Sequence, residues 1–353
     1  MFEVIDKHNK CWTKEKAWNW YNKNQSVIGC NYVPQTAINS TEMWQSDTFD
    51  IETIAKELKW ASDIGYNSIR VFIQFLVWKN ERDELIKNIS RLLEVADGYN
   101  IKVTPVLFDD CAFSDLEPYL GTQNEPEYLV HNSGWTPSPG VKYTNDFTKY
   151  TELKEYTKDI INSFKSDQRI FMWDLYNEPG NSKRGAKSLY LVEKAFEWAR
   201  EVNPIHPLTV GLWAFENGSA VEGTKFVDLK AMELSDIITF HHYGNAEQVE
   251  MSLSYYSSLG YPMICTEWMA RVQFESYIET VLPVFHKHNV GTYNWGLVNG
   301  KTQTHVPWDY DKNLGEPNIW FHDILQKDGT PYNEAEIGII KNISEKSRSE
   351  INE

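Results

Sequence analysis

Short apolar runs recur at fairly even intervals along the chain, with one long gap after the third, each followed by a stretch with helical periodicity, and that alternation limits the possible architectures more than any other feature. The runs are Ile28 to Val33, Ser68 to Ile73, Lys102 to Phe108, Ile170 to Tyr176, Leu208 to Leu212, Asp236 to His241, Pro262 to Thr266 and Gly291 to Trp295. The spacing between them predicts helices over Ile51 to Ile64, Glu81 to Tyr99, Asp146 to Phe164, Ala186 to Val202, Ala246 to Leu259 and Gln273 to His288. Ile54, Leu58 and Ala61 form the apolar stripe of the first, and Ile86, Ile89 and Leu93 that of the second. A short helix near Leu229 to Leu234 and a last one at Ile319 to Leu325 complete the pattern. Strands that alternate with helices build a parallel sheet. Eight of them, with no G-x-G-x-x-G turn after the first, fit a closed barrel better than an open doubly wound sheet. The expected fold is therefore α/β, a single (β/α)8 TIM barrel over residues 1–342, with residues 343–353 as a frayed C-terminal tail.

Composition narrows the function. Lysine and arginine number 34 against 50 acidic residues, a net charge of −16 with no basic block, so no nucleic-acid partner is expected. No apolar run reaches the roughly 18 residues needed to span a bilayer, so no membrane partner is expected either. The first ten residues carry no cationic leader with an apolar stretch behind it, and the expectation is a cytoplasmic protein. Cys11, Cys30, Cys111 and Cys265 lie far apart without C-x-x-C spacing and read as free, mostly buried thiols. Neither a metal nor an organic cofactor is expected.

From about Asp109 to Asn145, after the third strand, runs a loop rich in Pro, Gly and aromatics, including Phe113, Tyr119, Tyr128, Trp135 and Tyr143. Loops that follow strands lie on the barrel face where sites are built, so this one is a candidate lid or substrate wall.

Two strand ends carry a glutamate. The fourth strand runs into Tyr176-Asn177-Glu178-Pro179, and the seventh into Cys265-Thr266-Glu267-Trp268. The tripeptide Asn124-Glu125-Pro126 repeats the first motif inside the long loop, but no strand precedes it, and only Glu178 has the context of a site. Glu178 and Glu267 facing one another across a barrel mouth would suit glycoside hydrolysis, in which one carboxyl protonates the leaving oxygen and the other, ionised, attacks the anomeric carbon or activates water. Arg70 lies inside an apolar strand and needs acidic partners such as Asp174 or Glu267 to be buried. The adjacent His241 and His242 should not both point inward, since strand side chains alternate, and neither has metal-ligand spacing. Trp295, beside Gly296 at a strand end, could stack on the apolar face of a sugar.

On these motifs the sequence resembles clan A of the glycoside hydrolases, and family 5 most of all, over nearly its whole length. The resemblance implies Glu178 as acid/base, Glu267 as nucleophile, Asn177 on the sugar 2-hydroxyl, Arg70 holding the nucleophile ionised, His241 and Tyr243 around it, and Trp295 under the ring. It further implies a retaining hydrolase of β-linked glycosides, cellulase-like in kind, whose partner is an oligo- or polysaccharide such as fragments of xylan, mannan or glucan. An exo-acting enzyme of the β-mannosidase kind on short oligosaccharides, or a carbohydrate-binding barrel without activity, are the alternatives. A protonated carboxyl at Glu178 requires a raised pKa there.

The chain departs from several family members where the third strand ends. A histidine is replaced there by Asp109-Asp110-Cys111, which puts the sugar subsite rather than the chemistry in question. Asp109 and Asp110 are expected to accept hydrogen bonds from sugar hydroxyls. Trp213 is expected on the same face, with Asn31, Tyr32, Gln74 and Glu216 as weaker candidates.

Overall fold

A computed structural model describes residues 7–24, 27–214 and 223–351. Its eight strands are β1 (Ile28–Asn31), β2 (Ser68–Phe72), β3 (Lys102–Asp109), β4 (Trp173–Asn177), β5 (Leu208–Gly211), β6 (Ile238–His241), β7 (Met263–Trp268) and β8 (Gly291–Trp295). Every ladder is parallel, and β1 pairs with both β2 and β8. The remaining gap, between β5 and β6, is bridged by Leu212 to Phe240 and by the His241 amide donating to Leu212 O at 2.7 Å. The eight-stranded barrel expected from the sequence is thus closed.

The predicted helices lie between the strands at Ile51–Asp63, Phe75–Gly98, Tyr150–Phe164, Leu189–Val202, Thr224–Leu234, Ala246–Ser258 and Ile278–Lys287. The stripe of the first, Ile54, Leu58 and Ala61, is fully covered; in the second Ile89 and Leu93 are buried as expected, but Ile86 is only partly covered and Leu85 and Leu92 complete the inner face instead. Two expectations fail at the C-terminal end. Ile319 to Leu325 is not helical; the Ile324 and Leu325 amides donate to Leu297 O, and Phe321 packs in an aromatic cluster beside the barrel mouth. The last helix is Glu334–Ile351, so residues expected to fray from 343 on continue it as far as Ile351, and Ile337, Ile340 and Ile343 bury its inner face. A helix that the periodicity does not predict, Lys14–Lys23, is capped by Thr13, whose hydroxyl accepts the Lys16 amide.

Strand register is irregular where it matters to the mouth. Shifts occur between Asp174 and Asn177, between Phe240 and His241, and between Cys265 and Trp268. Irregularities of this kind re-aim the side chains next to them, and here each sits beside a predicted site residue.

Candidate active site

Arg70 organises the floor of the mouth. Fully buried on β2, its guanidinium donates to Asn31 Oδ1 (2.7 Å), Glu267 Oε1 (2.9 Å), Asp174 Oδ2 (2.8 and 3.0 Å) and Asn177 Oδ1 (2.6 Å). A buried guanidinium is tolerated because its planar fork meets two carboxylates and two amide oxygens at once. Asn177 is held at both ends, since its Nδ2 donates to Asp109 Oδ1 at 2.9 Å.

Glu178 follows β4 with a φ of 44°, a left-handed conformation rare for a residue with a side chain and of order 1 kcal/mol or more in cost. Its Oε1 accepts from His241 Nδ1 at 2.6 Å, and its Oε2 from the Cys111 thiol at 2.9 Å and from the Asn181 amide. Glu267 Oε2 accepts the Tyr243 hydroxyl at 2.8 Å and lies 3.5 Å from His241 Nδ1. One oxygen from each glutamate and one His241 nitrogen all lie within 4.8 Å of one another. That triangle has the size of a metal site, but the Arg70 guanidinium, 2.9 Å from Glu267, places a fixed positive charge against any cation there.

The electrostatics follow from these contacts. Hydrogen bonds from His241, Cys111 and Asn181 hold the Glu178 carboxyl below its ordinary range despite burial. The expectation of a raised Glu178 is therefore reversed, because three donors face one carboxylate. Burial, with the neighbouring Glu178 charge, pushes Glu267 up, against His241 and Arg70. His241 is itself raised against its own burial, by the charges of Glu267 and Glu178 and by the hydrogen bond to Glu178. Gly211 on β5 makes room for that imidazole: a Cβ there would stand 2.8 Å from His241 Nε2.

Above the glutamates opens a cavity of about 1030 Å³ that reaches Asn177, Glu178, Trp213, His241, Tyr243, Glu267 and Trp295. Trp295 is 8% exposed, stacks parallel to Phe72 at 6.1 Å and meets Trp135 edge-on at 6.2 Å. Both His241 and His242 border the cavity; alternation does not separate them, because β6 ends at His241. Loop residues Cys111, Phe113, His131, Asn132 and Trp135 form one wall, as expected of the insertion after β3.

Two expected sugar contacts are turned away. Asp109 Oδ1 accepts from Asn177 and from the Cys111 amide, and its Oδ2 accepts Trp135 Nε1 at 2.8 Å. Asp110 accepts from Tyr176, Ser188 and the Gly180 amide and pairs with Arg184 at 3.0 Å. Neither borders the cavity, since their oxygens are consumed in tying the third and fourth strand ends together. Asn31, Tyr32 and Gln74 are also buried outside it, while Glu216 lies outside the described residues. Glu125 of the repeated tripeptide is exposed on the loop. The sequence reading missed Cys111 and Asn181 as partners of Glu178; the only signal was their position just past two strand ends. All four cysteines are free, with Cys30 and Cys265 buried and the other two half-buried.

A closed (β/α)8 barrel with two buried carboxylates facing one another under an aromatic-walled cavity has the arrangement that glycoside hydrolysis needs. The family described as Cellulase (glycosyl hydrolase family 5) matches residues 129–301, a little under half of the chain, and supports a family-5-like O-glycosyl hydrolase of clan A. No curated protein matches its sequence. Among solved structures it resembles an exo-beta-1,4-mannosidase from Opitutaceae bacterium strain TAV5 at 16% identity and a TM-score of 0.63, covering 91% of this chain and 60% of that one. An endo-beta-1,4-mannanase from Thermotoga petrophila is similar at 16% identity and a TM-score of 0.60, over 94% of this chain and 78% of that one. An endo-1,4-beta-mannanase from Rhizomucor miehei gives 13% identity and a TM-score of 0.59, over 92% and 95%. Among the described residues no helix is long and apolar enough to cross a membrane.

Proposed function

We propose that the protein hydrolyses β-1,4-linked oligosaccharides with retention of configuration, with Glu267 as nucleophile and Glu178 as acid/base. The observation that carries this reading is the approach of their oxygens to within 4.8 Å. Retaining enzymes hold their carboxyl groups about 5–5.5 Å apart, whereas inversion needs about 6.5–9.5 Å to admit water.

Arg70 and Tyr243 orient Glu267 and stabilise its anion for attack on the anomeric carbon. The proton for the leaving oxygen passes from His241 Nδ1 across 2.6 Å to Glu178 Oε1, and from Glu178 to the glycosidic oxygen as the C–O bond breaks. The glycosyl ester on Glu267 carries no charge. Water then gives its proton to Glu178 and attacks the anomeric carbon, Glu267 departs as carboxylate, and the proton returns to His241. Asn177 stands beside the two glutamates to meet the sugar 2-hydroxyl, and Trp295 supplies the platform under the ring. Mannosides are the first substrates to try, because the similar structures named above are a mannosidase and mannanases.

The test is proton NMR of the first sugar released from a panel of β-1,4-manno-, gluco- and xylo-oligosaccharides, with Glu267→Gln beside the wild type. Initial appearance of the β anomer, absent in the variant, is expected. Initial release of the α anomer would overturn the mechanism.

A further inference from the structure

Two kinds of wall border the cavity, on opposite sides of the barrel. Trp295 on β8 stacks on Phe72 of β2 and meets Trp135, so the aromatic wall lies over β8, β1 and β2. In the closed ring of strands β6 stands opposite β2, and the wall there is polar. It is formed by His242, just past β6, and by Gln248, Met251, Ser252 and Tyr255 of the helix Ala246–Ser258, all of which border the cavity. These helical positions follow the i, i+3, i+4, i+7 spacing of a single helix face, and that face runs along about 10 Å of the cavity.

His242 is 4% exposed, and its neighbours fix its ring. Its Nδ1 accepts the Gly244 amide at 3.0 Å, and a backbone amide can only donate, so that nitrogen carries no proton. Burial pushes the pKa of the imidazole down to about 4, so the neutral ring holds its one proton on Nε2. Gly244 gives the ring its place, since a Cβ there would stand 2.6 Å from His242 Cε1. The Nε2–H has no hydrogen-bond partner among the described residues, yet it keeps surface open to the cavity. Ser252 repeats the pattern. It is 8% exposed, and its hydroxyl is open to the cavity and likewise without a partner among the described residues. Polar groups so placed are costly unless something pairs with them, and a donor-only nitrogen beside a hydroxyl complements the oxygens of a sugar.

On the roles proposed above, the ring attacked by Glu267 rests on Trp295, and Glu178 protonates the oxygen that departs. The leaving group therefore points away from Trp295, toward β6.

We propose that the wall after β6 is the subsite of the leaving sugar, where His242 Nε2–H donates to one of its oxygens and Ser252 pairs with another. An aryl leaving group offers neither contact, so these two residues make the enzyme select a sugar there. This rests on the retaining-glycosidase reading and adds to it the residues that recognise the departing half of the substrate.

The test compares kcat/KM of the full chain for the best-cleaved oligosaccharide of the panel with that for the nitrophenyl glycoside carrying the same glycone. This constant covers the steps up to the glycosyl-enzyme, while the leaving group is still bound. His242→Asn keeps an acceptor for the Gly244 amide and removes the far donor. It should lose about three- to tenfold more on the oligosaccharide than on the nitrophenyl glycoside, as one hydrogen bond predicts, and His242→Gln, which puts a donor back near Nε2, should regain part of the difference. Ser252→Ala leaves the Gly244 amide untouched and suits a helix; it should shift the ratio in the same direction by about threefold. A wild-type ratio in His242→Asn, or equal losses on both substrates, would overturn the assignment of His242, and the same result in Ser252→Ala that of the hydroxyl. No Glu267-dependent cleavage of any panel member or nitrophenyl glycoside would sink the glycosidase reading as well.

Discussion

His241 Nδ1 stands 2.6 Å from Glu178 Oε1, and the same nitrogen is 3.5 Å from Glu267, so one imidazole serves both carboxylates. The three groups bind protons as a unit. Glu267 is raised, so activity should fall on the acid side at a pH above the ordinary glutamate value of 4.5 as the nucleophile is protonated. His241 is raised, so activity should fall on the alkaline side above 6.5 as the proton supply is lost. A kcat/KM profile with two limbs checks both. An alkaline limb at or below 6.5 would take His241 out of the proton path.

Arg70 spends its donors on four acceptor residues from three strands, β1, β4 and β7. An ammonium has three donors and no fork, so Arg70→Lys leaves buried acceptors unpaired. The variant should lose about 3–5 kcal/mol of stability, the usual cost of breaking a buried pair, together with at least tenfold in kcat/KM. Chemical denaturation and steady-state kinetics measure the two losses. Wild-type values for both would mean that the network does not organise the site.

The barrel and the two glutamates were readable because they rest on periodicity and on strand ends, which depend on residues near in sequence. Asp109 and Asp110 show where such reading stops. Position after a strand places a residue on the correct face, but their orientation is set by Trp135, Asn177, Ser188 and Arg184, which come from other elements. Ile319 to Leu325 mimics a helical stripe because its apolar residues pack on the barrel mouth from an irregular chain. Asn132 sits in a loop without any period, and its unpaired amide is a property of the assembled wall.

Cys111 gives Glu178 a thiol donor, and a donor to the carboxylate lowers its proton affinity. Cys111→Ala should therefore raise the proton affinity of the unit and move the alkaline limb of kcat/KM upward, while Cys111→Ser, which keeps a donor, should restore it. pH profiles of the three proteins decide. Superimposable profiles for wild type and Cys111→Ala would show that the thiol only fills space.

Glu57 lies away from the site, on the helix Ile51–Asp63, where its buried carboxylate accepts the Tyr32 hydroxyl at 2.8 Å and the Gln35 amide at 3.3 Å. Burial raises its pKa to about 7, outweighing those hydrogen bonds. A carboxyl raised in the folded state favours folding most below its unfolded value near 4.5, and that contribution is lost as pH rises toward 7. The loss amounts to about 3 kcal/mol. Glu57→Gln keeps an acceptor for Tyr32 and cannot ionise. It should melt above the wild type at pH 8, with the advantage shrinking or reversing at pH 5. Thermal unfolding at the two pH values measures this, and a difference independent of pH would mean that Glu57 does not titrate in the folded protein.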